Sequence, residues 1–276
     1  MELGHAGLTS GDETMSLGRE QPLLLAELTW EETRDRLPEI ELVLIPVGAH
    51  EQHGPAIAVS TDTVSAEALC HAAAARLGSR VAVTPAIPWG VSWAHMGFPG
   101  TITLRSETLV AIIGDVIGSL HTHGFPRFLV VNGHGGNAAA VTTAVEVAKQ
   151  ATNPPLVAAV YGYALLAEQA AGLLPEGAAG HGGGDEAAVV MAVRPQLTRP
   201  LRAGPAQFTG ALVDTAGLLR AYGGTLARPY GDVTRNGATG DATAASVDAG
   251  RTILAGAAER LAAIIETMLG ESATEQ

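Results

Sequence analysis

The stretch ELVLIPVGAHEQHGPAIAVSTD, residues 41–62, decides the reading of this chain. Its apolar run, Leu42 to Val47, has the length of a buried strand and enters a turn at Gly48. Glu51 and His53 follow immediately. They stand two residues apart, so an extended backbone points both side chains the same way, with roots about 7 Å apart. A carboxylate and an imidazole converging beyond a strand end form half of a metal site. Asp62, after Ser60 and Thr61, can return from the next loop as a second carboxylate.

Working outward, the pattern alternates strand and helix. Thr29 with the acidic pair Glu31 and Glu32 predicts a short helix within residues 23–37. Residues 63–77 are Ala-rich, end at Gly78 and predict a helix capped by Thr61 or Asp62. Residues 81–84, 128–131 and 156–161 read as further strands, and residues 101–104 as extended chain. Helices are expected from Ser106 to about Thr122, from after Asn137 to about Gln150, over 165–174, over 187–193 and over roughly 244–269. Strands separated by helices imply βαβ units and a mostly parallel sheet covered on both faces. In such folds the ligand site lies beyond the carboxyl ends of the strands.

Two further segments carry chemistry. Residues 132–137, NGHGGN, place His134 at a strand end. Gly135 and Gly136 let the backbone approach a ligand, and with Asn137 they are candidate substrate-binding residues. The glycine spacing is not that of a dinucleotide-binding loop, and no lysine completes a phosphate loop. Residues 180–186, GHGGGDE, put His181 in a flexible loop and Glu186 at a helix start. The long loop 85–100 is rich in helix breakers and aromatics, a composition that points to function. Trp89, Trp93 and His95 are its candidates for facing a substrate. Cys70 lies among alanines in a helix, where a thiolate is disfavoured, and no serine sits in a nucleophile elbow.

Bulk properties narrow the class. The chain has 276 residues, 47% hydrophobic, and a net charge of −12. That charge argues against nucleic acid or an anionic membrane as partner. No apolar run is long enough to span a bilayer. A single cysteine excludes an intrachain disulfide, and a cytoplasmic location is expected. Residues 1–20 read as a flexible arm, 21–270 as a single domain and 271–276 as a polar tail.

The motifs PVGAHEQHGP at 46–55, STDT at 60–63, HMGFPGTI at 95–102 and VNGHGGN at 131–137 together resemble the creatininase (creatinine amidohydrolase) family. Weaker matches are HGGGDE at 181–186 and GATGDAT at 237–243. The resemblance implies a three-layer α/β/α sandwich and a metal-dependent amidohydrolase. Such an enzyme cleaves a C–N amide bond of a cyclic amide or N-acyl small molecule with a metal-bound hydroxide. It implies two divalent ions, zinc foremost, with manganese or iron as alternatives. Glu51, Asp62 and His134 would hold one ion; His53, Asp62 and a further glutamate the other. Creatininase carries that glutamate two residues after the histidine of the VNGHGGN motif, where this chain has Gly136. Glu186 is therefore expected to replace it. His181 would protonate the leaving nitrogen. The resemblance also implies a homo-oligomer, a hexamer. Two alternatives stand beside this reading. One is a peptidase-like relative that trims a modified peptide, as in mycofactocin maturation. The other is a non-catalytic scaffold that has lost its second metal.

Overall fold

A computed structural model describes residues 21–210, 219, 221 and 226–273. The arm expected at 1–20 lies outside the described residues. Five strands form one parallel sheet: β1 (Leu23–Leu24), β2 (Leu42–Val47), β3 (Val81–Val83), β4 (Arg127–Asn132) and β5 (Leu156–Tyr161). Their spatial order is β1-β3-β2-β4-β5. The chain leaves β2 towards one side, builds β3, then crosses to the other side for β4. Such a reversal opens a crevice beyond the carboxyl ends of the two central strands.

Alternation along the strands explains the layers. Leu42 and Leu44 of β2, with Leu129 and Val131 of β4, pack in one buried cluster. Their partners there come from helices α2 (Thr61–Leu77), α5 (Gly162–Ala170), α6 (Gly184–Val193) and α7 (Val247–Ala273). Val43, Ile45 and Val47, with Phe128 and Val130, face the opposite way. They meet α3 (Ser106–Thr122) and α4 (Ala138–Thr152). Side chains point alternately to the two faces of a strand, so a strand buried on both sides must be apolar throughout. Residues 42–47 meet that demand and are buried without exception. The three-layer α/β/α sandwich expected from the sequence is present.

The short helix α1 (Trp30–Arg36) starts at a capping box. Thr29 accepts from the Glu32 N–H, and the Glu32 side chain accepts from the Thr29 N–H at 2.7 Å. Strand β1, only two residues long, is too brief for a period to register, and residues 101–104, read as extended chain, contribute isolated bridges. Helix α7 runs on through Ala273, into the stretch read as a polar tail. Among the described residues no helix is long and apolar enough to cross a membrane.

Candidate metal centre

The side chains singled out after the strands meet at the crevice. The turn after β2 delivers Glu51 and His53, the first turn of α2 delivers Asp62, and the turn after β4 delivers His134. Glu186 comes from the first turn of α6. Glu51, His53, Asp62 and His134 are all buried, at 0%, 0%, 4% and 6% exposure. Three groups of side chains have ligand atoms within 4.8 Å of one another: Glu51–Asp62–His134, His53–Asp62–Glu186 and Glu51–His53–His181.

Backbone carbonyls decide which imidazole nitrogens face the crevice. His53 Nδ1 lies 3.0 Å from the Glu51 carbonyl, to which it can only donate. Its Nε2 therefore faces Asp62 Oδ1 at 3.0 Å and Glu186 Oε2 at 3.5 Å. His134 Nε2 donates to the Val91 carbonyl at 3.1 Å, leaving Nδ1 3.2 Å from Asp62 Oδ2. Histidines that bind metals usually give their second ring N–H to a carbonyl in this way. The His134 backbone is held by Asn132, whose Oδ1 accepts its N–H at 3.1 Å and whose Nδ2 donates to its carbonyl at 2.8 Å.

Both Glu51 carboxylate oxygens and Asp62 Oδ2 are buried without a hydrogen-bond partner. His134 nitrogens come within 3.2 Å of Glu51 Oε2 and of Asp62 Oδ2, but not in hydrogen-bonding geometry. Leaving such groups unpaired is costly, and far more so when they are charged. Donors crowded together and aimed past one another fit a bound cation.

The electrostatics match. Burial pushes the Glu51 carboxyl up to about 7 and the Glu186 carboxyl up to about 8. Burial alone would lift Asp62 too, but the His53 and His134 imidazoles hold it well below the usual carboxylate range. Burial opposes charge on both imidazoles. Asp62 and Glu186 nonetheless raise His53 to about 10, while Glu51 and Asp62 raise His134 to about 9. The pocket draws in positive charge.

A cavity of about 400 Å³ opens over these groups. Its lining includes His95, Gly135, Gly136, His181 and Glu186. His181 is neutral: burial, then the neighbouring His53, lowers it well below its ordinary value. Its ring centroid lies 4.3 Å from that of His53. A side chain at Gly136 would drive its Cβ into the His134 ring and the Val91 carbonyl. The glutamate found there in creatininase therefore has no room, and Glu186 occupies the vicinity instead.

Three candidates fall outside the lining. Trp89 and Trp93 are about half exposed, at 47% and 48%, and are absent from the cavity's described walls. Asn137 is fully buried. Its Oδ1 accepts the Val91 N–H at 2.8 Å and its Nδ2 donates to the Gly48 carbonyl at 3.0 Å. It ties three loops together rather than facing a substrate. Two tyrosines that sequence reasoning missed, Tyr163 and Tyr230, do line the cavity. Tyr230 stacks on His95 with centroids 4.2 Å apart. It comes from the Gly- and Pro-rich stretch whose signals are mixed, and no period marks it.

The family model described as Creatininase: Creatinine amidohydrolase matches residues 26–265. The chain belongs to the creatininase family. Creatinine amidohydrolase of Pseudomonas putida is 31% identical over 192 residues, 63% of this chain and 73% of that one. Mycofactocin precursor peptide peptidase of Mycobacterium ulcerans is 33% identical over 226 residues, 77% of this chain and 80% of that one. Among solved structures, "Creatininase Mn" superposes with a TM-score of 0.77 at 26% identity, covering 90% of this chain and 99% of that chain. The chain is thus a creatininase-family amidohydrolase, a hydrolase of carbon–nitrogen bonds other than ordinary peptide bonds.

Proposed function

We propose that this protein, through one domain spanning residues 21–270, cleaves the C–N amide bond of a small cyclic amide or N-acyl compound with two divalent ions. Glu51, Asp62 and His134 would hold one ion and His53, Asp62 and Glu186 the other. The observation that carries this reading is the set of buried, unpartnered carboxylate oxygens on Glu51 and Asp62. Mixed imidazole and carboxylate donors suit zinc, with manganese or iron as alternatives. Relatives described as "Creatininase Mn" and as a "Zn-Zn type" mutant creatininase support the same choice. Ions bound there supply Lewis acidity towards an amide carbonyl and acidify water near neutral pH.

The chain's own groups do the rest. His181, neutral and beside Glu51, takes at Nδ1 the proton that the attacking water gives up and passes it to the leaving nitrogen as the C–N bond breaks. It cannot act as a standing acid, because burial keeps the ring uncharged. Gly135 and Gly136 leave the floor clear of side chains. The volume suits a small molecule. The family resemblance extends the proposal to a homohexamer, and the single cysteine to a cytoplasmic location.

A peptidase-like reading has specific support. The mycobacterial relative is described as a precursor peptide peptidase, and Trp89, Trp93 and Met96, in the stretch of chain that carries His95, are exposed apolar side chains. One experiment separates the readings: metal analysis of the desalted protein, then turnover of creatinine, other cyclic amides, N-acyl amines and short peptides. About two ions per chain with cleavage of a small amide supports the first reading. Cleavage confined to peptides supports the second. No metal and no cleavage overturns both.

A further inference from the structure

Gln52 stands between the two ligand positions Glu51 and His53 but faces away from them, and its carboxamide is buried. Its orientation is pinned from both ends. Oε1 accepts the Gly54 N–H at 2.9 Å, and Nε2 donates to the Gly237 carbonyl at 3.0 Å. Rotating the amide would set N–H against N–H at one end and oxygen against oxygen at the other. Gly237, at φ +81°, is needed here because a Cβ would collide with the carboxamide.

Nε2 carries two hydrogens. One goes to Gly237, leaving one for two imidazoles, His95 Nδ1 at 2.9 Å and His181 Nε2 at 2.9 Å. The carbonyl of Gln52 decides between them. It lies 2.8 Å from His181 Nε2 and can only accept, so that nitrogen carries a proton. The remaining amide hydrogen therefore goes to His95 Nδ1, which must be bare. Each ring then holds its single proton on Nε2, but the rings are turned opposite ways. His95 presents its N–H 3.5 Å from Glu51 Oε1, while His181 presents bare Nδ1 3.7 Å from the same oxygen.

We propose that Gln52 is a positioning residue that sets the protonation pattern of the cavity wall. Its side chain makes His95 a hydrogen-bond donor, and its backbone carbonyl makes His181 a proton acceptor. His95 then turns an N–H, and His181 a bare ring nitrogen, towards Glu51 and the cavity. The role of that pattern in turnover rests on the amidohydrolase reading; the hydrogen-bond wiring does not.

The test uses zinc-loaded full-length protein with 15N-labelled histidine, read by long-range 1H–15N correlation of the rings. Signals are assigned with His95→Asn and His181→Asn. Both rings are expected as neutral Nε2–H forms. Gln52→Glu keeps the shape but replaces the donor by an acceptor. It is expected to protonate Nδ1 of His95 and to leave His181 unchanged, since the carbonyl survives. Zinc content is expected to stay equal in the two proteins. A wild-type His95 ring protonated on Nδ1 overturns the proposal, and that spectrum suffices even where the variant does not fold. An unchanged His95 ring in Gln52→Glu, or loss of zinc from it, also overturns the proposal. Wild-type protein that takes up no zinc sinks the two-ion reading alone, because the tautomers are still read in the metal-free state.

Discussion

Asp62 Oδ1 lies 3.0 Å from His53 Nε2, although nine residues of sequence separate them. The other oxygen of the same carboxylate faces His134 at 3.2 Å. Of the two triads proposed to hold ions, Glu51–Asp62–His134 and His53–Asp62–Glu186, Asp62 belongs to both, whereas Glu51 serves one and Glu186 the other.

Asp62→Asn is therefore expected to remove both ions, and Glu51→Gln or Glu186→Gln only one. Metal analysis of desalted protein checks this, reading about two ions per chain in the wild type. Equal losses in all three variants would refute the shared role of Asp62.

Replacing Gly136 by glutamate is expected to damage the site rather than restore a creatininase-like ligand. The new Cβ strikes the His134 ring and the Val91 carbonyl, an overpacking of the kind that costs about 1–3 kcal/mol. The double variant Gly136→Glu, Glu186→Gln should then keep fewer ions than Glu186→Gln alone. Recovery of the second ion would show that the turn can open.

Asn137→Ala is expected to act on stability and not on substrate affinity. It strips partners from the Val91 N–H and the Gly48 carbonyl, each worth about 1–3 kcal/mol when left unpaired in a buried position. Urea unfolding against wild type, with KM for the best amide, separates the two effects. A raised KM at unchanged stability would return Asn137 to the substrate wall.

Cys70 is buried in α2, and burial pushes its thiol well above the usual range. Native protein is expected to resist iodoacetamide at pH 8 and to react once unfolded. The folded state keeps a proton that the unfolded chain releases above about pH 8.5. Stability should therefore fall as pH rises beyond that point, and Cys70→Ala should flatten the slope. Rapid alkylation of the native protein would contradict this.

Most of the centre was legible because it lies where strands end. Leu42–Val47 announces a strand buried on both faces, and the acid and imidazole after it have nowhere to point but the crevice. His134 follows the same logic. Glu186 was different: its spacing says only that an acid opens a helix, and the family resemblance carried it into the site. Gln52 was overlooked because a glutamine between two ligands reads as solvated; its burial comes from Gly237, 185 positions away. Trp89 and Trp93 stand outside the cavity lining. Aromatics in a loop suggest a binding wall, yet both tryptophans are half exposed, and the described lining holds His95, Tyr163 and Tyr230 instead.

The origin of Tyr230 has an evolutionary consequence. The ion-gripping side chains sit on strand tails and helix starts, anchored to the sheet, while part of the outer wall hangs from a late excursion of the chain. Mutation can retool the part of that excursion around Tyr230 while Gly237 keeps its hold on Gln52. A scaffold divided in this way gives natural selection a route from one amide to another in small steps.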